Sequence, residues 1–150
     1  MKNRRGFTLI ELLVVISVIS IIIGVVIPRF KGMQDEANKA KVKAELKTLQ
    51  TAVESFFINQ DPQEYPASTG TICLTYLNSA SPIIVSTPLY DPFASAGDEY
   101  VYELSPSGGY YVIFSPGPNQ ALDITGIGDD GYLTGVQSDD IYATNGLGWT

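Results

Sequence analysis

Hydrophobic positions fill the first part of the chain without interruption and then thin into a periodic pattern. From Phe7 to Ile27 the only ionisable side chain is Glu11. As a helix rising about 1.5 Å per residue, this stretch would reach about 30 Å, the thickness of a bilayer core. Gly24 and Pro28 punctuate its end. Pro28 has no N–H and crowds the carbonyl of Gly24, so a kink or a locally melted turn is expected there. From Arg29 to about Ile58 the pattern turns amphipathic. Val42, Leu46, Leu49, Val53 and Phe56 recur at steps of four and three, the spacing of a helix with one buried face. Away from that stripe, Asp35 with Lys39 and Lys41 with Glu45 are four apart, and Lys39, Lys43 and Lys47 form a basic ridge that reads as a solvated face or as a contact with the acids of a second copy.

Asp61-Pro62 ends the helical pattern, because a residue before proline avoids the helical region. A long connection follows through Tyr65-Pro66, Pro82, Pro88 and Asp91-Pro92-Phe93, with Thr71–Asn78 as a candidate short helix despite its threonines and Cys73. Glu99–Leu104 and Tyr110–Ser115 alternate, with Tyr100, Tyr102, Val112 and Phe114 at every second place in their runs. They predict two strands joined as a hairpin through Ser105–Gly109. Ser115 to Thr150, rich in Gly, Asp and Asn, is expected to be mostly loop with short strands near Tyr132 and Ile141. The fold class is therefore α+β: a long N-terminal helix packed on a small antiparallel sheet.

Charge sharpens this picture. Lys2, Arg4 and Arg5 precede the apolar run and favour a cytoplasmic N-terminus with everything after the span exported. No small-x-small cleavage site follows the run, so a removable secretory signal fits poorly. Glu11 inside a spanning segment costs a few kcal/mol unless something pairs with it; otherwise it is one acid near the membrane edge of a plain signal anchor. All nine basic residues precede Thr48, whereas residues 48–150 hold twelve of the sixteen acids. That argues against nucleic-acid binding by the C-terminal part. Histidine is absent, which removes the commonest general base and argues against an enzyme. Cys73 is the single cysteine, so an intrachain disulfide is impossible and another staple is worth seeking. Asp123, Asp129, Asp130, Asp139 and Asp140 fall within eighteen residues of one another without a local basic partner. A calcium ion held by such acids would order the loop. The EF-hand ligand order is not met, and five solvated surface acids are the competing reading.

The N-terminal residues carry a resemblance. Lys-Asn-Arg-Arg-Gly-Phe-Thr-Leu-Ile-Glu, from Lys2 to Glu11, resembles the signal of type IV pilins and of the pseudopilins of type II secretion, most closely the major pseudopilin. The resemblance implies a leader at 1–6, cut after Gly6 by a prepilin peptidase that methylates Phe7, a transmembrane and filament-core helix at 7–28, and an amphipathic stem plus globular head at 29–150, together a pilin-like lollipop. It implies that in a staggered polymer the new Phe7 amine of one copy neutralises Glu11 of the next, and that the Gly24–Pro28 break lets the stem stretch. It further implies a calcium loop opened by Ser115-Pro-Gly-Pro-Asn119 and closed by Ser138-Asp139-Asp140-Ile141. Asp139 and Asp140 are then the leading ligands, Asn119 stands where an acid is frequent, and Leu122–Val136 reads as an insertion carrying Asp123, Asp129 and Asp130. The implied function is a structural subunit of a helical pseudopilus, assembled at the bacterial inner membrane with an assembly platform and minor pseudopilins, that drives protein export. The lack of a disulfide tilts the resemblance to that branch. A type IV pilin of an extracellular fibre is the neighbouring alternative, and a membrane-anchored periplasmic binding protein or enzyme the alternative of another class.

Overall fold

The computed structural model describes residues 7–67, 70, 77 and 85–150. The leader with Gly6 and most of the Thr71–Asn78 segment, Cys73 included, lie outside the described residues. Helix α1 runs Leu9–Asn59, and the chain divides into two compact units, one reaching to Ala37 and the other Asn38–Thr150.

In the first unit every side chain from Phe7 to Ile27 is exposed, and the apolar stretch is long enough to cross a membrane. The hydroxyls inside it are satisfied locally. Ser17 donates to the Leu13 carbonyl at 2.5 Å and Ser20 to the Ile16 carbonyl at 2.7 Å, so neither presents an unbonded donor to an apolar medium. α1 passes through Gly24 and Pro28 uninterrupted, so the melted turn expected there is not found in the single chain. Loss of one backbone donor at Pro28 removes one hydrogen bond, which helical residues on either side tolerate.

In the second unit the predicted stripe is the buried face of α1: Val42, Leu49 and Val53 are 0% exposed and Leu46 1%. Full burial of each such side chain contributes about 1.5–3 kcal/mol. The predicted hairpin is β1 (Val101–Leu104) and β2 (Tyr111–Ser115). It is followed by β3 (Ile124–Ile127), β4 (Leu133–Gly135) and β5 (Ile141–Thr144). One antiparallel sheet has the order β1-β2-β5, and β3 pairs with β4 in a separate two-stranded ribbon. The register Tyr102↔Ile113 and Val101↔Phe114 places Tyr100, Tyr102, Tyr111 and Ile113 in one core with the α1 stripe, Leu77 and Phe93. Val112 and Phe114 belong to a second core with Ile124, Ile127 and Leu133 of the ribbon.

The two alternating sets in the hairpin therefore face opposite ways. Both faces are covered, and all five residues of β2 are buried. A fully covered central strand is what a near-continuous apolar run such as Tyr-Val-Ile-Phe favours. The expected loop after Ser115 is shorter than the sequence implied, because the Leu122–Val136 insertion folds into the ribbon that covers the sheet.

Polar pins fix α1 to the sheet. Tyr111 donates to Glu54 Oε1 at 2.8 Å and Tyr65 to Glu54 Oε2 at 3.3 Å. Tyr100 donates to Glu45 Oε2 at 2.6 Å, and Glu45 also pairs with Lys41 at 3.7 Å, the predicted i,i+4 pair. Gln50 reaches the Thr144 carbonyl on β5 at 2.9 Å. Burial, reinforced by the Glu54 carboxylate, pushes the Tyr111 hydroxyl far above the ordinary phenol value, and the Tyr65 hydroxyl moves the same way.

Candidate functional site

Two sites emerge, one in each compact unit. At the start of α1 the Thr8 N–H and hydroxyl both donate to Glu11 Oε2, at 2.8 and 2.7 Å, while the Glu11 N–H donates back to Thr8 Oγ1 at 3.3 Å. This is a capping box, Thr8 at the N-cap and Glu11 three residues on, in which the side chains satisfy helix-end donors reciprocally. The Thr-Leu-Ile-Glu spacing is itself the sequence signal of that box. In the single chain the carboxylate already has a partner. Phe7, directly before the cap, is 81% exposed.

The second site is the acid loop. Asp123, Asp139 and Asp140 bring carboxylate oxygens within 4.8 Å of one another. Asp140 is held by two backbone donors, Asp123 N–H at 2.9 Å and Ile124 N–H at 2.8 Å, both on Oδ2. Its Oδ1 is buried and has no hydrogen-bond partner. Partial burial pushes the Asp140 carboxyl above its ordinary value, against the pull of those N–H groups, and the charges of Asp123 and Asp139 push the same way as burial. Like charges this close raise one another's proton affinity.

Glycine makes the cluster possible. Gly117 has φ +66°, and a Cβ there would run into the Asp139 carbonyl, so only glycine lets the opening segment pass so close. Asn119 then ties the segment down. Its N–H donates to Asp139 Oδ2 at 3.1 Å, its side-chain amide donates to Asp123 Oδ2 at 3.2 Å, and its Oδ1 accepts from the Ala121 N–H at 2.7 Å. Asn119 thus donates to the carboxylates of both Asp139 and Asp123. Lys39 and Lys43 of α1 line a groove with Asp139 and Asp140, so basic residues do come to the loop, from the helix rather than from the sequence around it.

Asp129 and Asp130 are not brought into the cluster. Asp129 accepts from the Ser107 N–H at 2.8 Å, which holds its carboxyl below the usual range, and Asp130 accepts from the Tyr132 N–H at 3.1 Å. Both sit in the turn between β3 and β4, where Gly131 takes φ +82°. Gly-Asp-Asp-Gly is a turn signature; Asp130 braces that turn, and Asp129 ties it to the β1–β2 connection.

Compared with known families, residues 1–27 match the prokaryotic N-terminal methylation motif. The chain is 30% identical over 135 residues to "Type II secretion system core protein G" of Klebsiella pneumoniae, covering 87% of this chain and 89% of that protein. The protein of the same name from Escherichia coli (strain K12) is 29% identical over 141 residues, 91% of this chain and 89% of the relative. The "Type IV major pilin protein PilA" of Myxococcus xanthus is 44% identical, but over 59 residues that make up 39% of this chain and 27% of that pilin. No solved structure gave a significant match.

Proposed function

This chain belongs to the type II secretion core protein G family, the major pseudopilins, and we propose that it is the repeating structural subunit of a pseudopilus that drives protein export. One exposed apolar helix, long enough to cross a membrane, anchors it as a single-pass protein and would form the filament core when copies stack. In this reading the prepilin peptidase cuts after Gly6 and methylates Phe7. The Asn38–Thr150 unit is periplasmic, and assembly at the inner membrane involves the platform and minor pseudopilins. Gly24 and Pro28 remain the place where the helix would stretch as a subunit leaves the membrane. Chemistry at a substrate forms no part of this role. The pilin alternative is favoured less, since the match to the Myxococcus pilin spans 39% of this chain and that to core protein G spans 87%.

The observation that carries the proposal is the capped end of α1. Cleavage before Phe7 would create a cationic amine one residue from a cap in which Glu11 already accepts from Thr8. A neighbouring copy's amine can then add to, or displace, the Thr8 donors at a carboxylate facing an apolar medium, where an unpaired charge is costly. Glu11→Ala should weaken assembly, giving fewer or shorter filaments, while membrane insertion and folding of the C-terminal unit persist. Filaments of normal length and growth rate in that variant, counted by electron microscopy, would refute it.

The acid loop supports calcium as a structural cofactor. Its chemistry fits a hard cation: three converging carboxylates, one with a buried oxygen that no donor reaches, and oxygen atoms as the only candidate donors. Asp123, Asp139 and Asp140 would hold it, with Asn119 steadying them. The ion would supply charge neutralisation that links the opening segment to β5, in place of a disulfide. Full-length chain in detergent should melt higher in calcium than in chelator. Equal melting in both would remove the cofactor and leave the subunit role intact.

A further inference from the structure

We infer that in the filament the exposed segment Asp61–Glu64 of one copy seats against Lys43 and Lys47 of a second copy, a contact that rests on the repeating-subunit reading above. Lys43 and Lys47 lie about one turn apart on α1 and both are exposed. With Leu46 and Gln50 they line a groove of about 320 Å³ whose far wall is Tyr142, Ala143 and Thr144 of β5. β5 is the edge strand of its sheet, so the groove runs along the margin of the unit. Lys41 finds Glu45 within the chain. Among the described residues neither Lys43 nor Lys47 has an ion-pair partner.

The complementary acids follow the far end of the same helix. Asp61, Pro62, Gln63 and Glu64 are all exposed and belong to no helix or strand. Among the described residues no hydrogen bond or ion pair engages the Asp61 or Glu64 carboxylate. The segment is held in place from its other side: Tyr65 stacks on Phe57 with ring centroids 4.4 Å apart and bonds Glu54. Other exposed acids are already committed, since Asp129, Asp130 and Asp139 accept backbone N–H groups. Two lysines a turn apart match two acids in one short segment. Within one chain they are kept apart, because α1 continues from Lys43 and Lys47 to Asn59, about 18–24 Å at about 1.5 Å per residue. A second copy displaced by about that distance towards the N-terminal end of α1 brings its acids level with the lysines. The two surfaces differ, so the contact is heterologous and repeats from copy to copy along an open filament. Exposed pairs of this kind add modest cohesion and chiefly fix the stagger.

The test is disulfide trapping in filaments assembled by the secretion machinery in bacteria, in a Cys73→Ser chain carrying Lys47→Cys and Asp61→Cys. A ladder of covalent multimers is expected on oxidation, because each copy offers a thiol to the copy on either side, and the helix holds the two thiols of one chain too far apart to close on each other. Chains with either cysteine alone should give no ladder. Should the trapping variant assemble poorly, charge exchange decides. Lys43→Glu with Lys47→Glu, or Asp61→Lys with Glu64→Lys, should each cut filament number about tenfold by setting like charges face to face, and all four substitutions together should restore it. Filaments of normal number and length that give no ladder would overturn the contact and leave the subunit role intact. So would reversals without effect, or a fourfold variant no better than either pair. A wild-type chain that forms no filaments beside its machinery would overturn the subunit role and the contact together.

Discussion

Glu54 is the residue whose loss the second unit should feel most among its polar groups. It lies half-buried on α1 and accepts from two tyrosines at once, Tyr111 at 2.8 Å and Tyr65 at 3.3 Å. Tyr111 is 0% exposed. In Glu54→Ala its hydroxyl would lose that acceptor. A hydrogen bond to a charged acceptor is worth about 1.5–3 kcal/mol, and a stranded buried hydroxyl costs about 1–3 kcal/mol. The Tyr65 bond is long, and Tyr65 keeps the Asn145 amide as a donor at 3.2 Å, so it adds little. The expected loss is about 2–3 kcal/mol, which for a domain of this size lowers the melting temperature by about 8–12 °C. Tyr111→Phe removes the same bond and leaves Glu54 its second tyrosine and some solvent, so it should cost only about 1–1.5 kcal/mol, or about 4–6 °C. The double variant decides the matter. Because it takes away the stranded hydroxyl as well as its acceptor, it should be no less stable than Glu54→Ala alone. Near-ultraviolet circular dichroism of the tyrosines during heating reads all three. A Glu54→Ala shift under about 2 °C, or a double variant equal to the sum of the singles, would refute the pin.

Alkaline pH should act through the same hydroxyls. Tyr65 and Tyr111 are raised above the ordinary value of 10.0, so the folded chain keeps protons that the unfolded chain gives up. Their stabilisation is complete below the unfolded value and is lost as pH rises beyond about 10, a fall in melting temperature that Tyr111→Phe should blunt. Gly117→Ala meets both a positive φ and the Asp139 carbonyl, and should cost about 1–3 kcal/mol in a denaturant titration. It should also weaken calcium binding in calorimetry more than Gly108→Ala, which has positive φ but open space around it. Raising free calcium to 100 times its dissociation constant should stabilise the fold by about 2.7 kcal/mol through linkage, measurable as a shift in urea midpoint at unchanged slope.

Much of the fold could be read from the residues because its periods are long and unambiguous. The steps of four and three from Val42 to Phe56 left no other face to bury, and Ser105-Pro-Ser-Gly-Gly between two alternating runs marked the hairpin. β3 was not legible. Ile-Thr-Gly-Ile is too short to declare a period, and its burial comes from lying on the face of β1 and β2 away from α1, a tertiary fact. Reading one alternation through both hairpin strands hid that second face. The acid loop was half legible: its acids stand out by composition, but that Asp123 closes on Asp139 and Asp140 while Asp129 and Asp130 bond the Ser107 and Tyr132 amides follows from how the ribbon folds. Glu11 stood out for its charge, but the capping role that Thr8 gives it was written in the same four residues.

That cap has a bearing on reversibility. In the proposed filament, a Glu11 that turned to a neighbour's amine would give up some or all of its bonds to Thr8, so docking exchanges one set of partners for another instead of rescuing a bare charge. The gain per copy is then the difference between two satisfied states and is small. Cohesion would accumulate along the polymer through many modest increments of apolar contact, while any terminal copy could fold its carboxylate back onto its own helix end and depart. A filament built this way grows and retreats from its end without having to break a strong bond at each step.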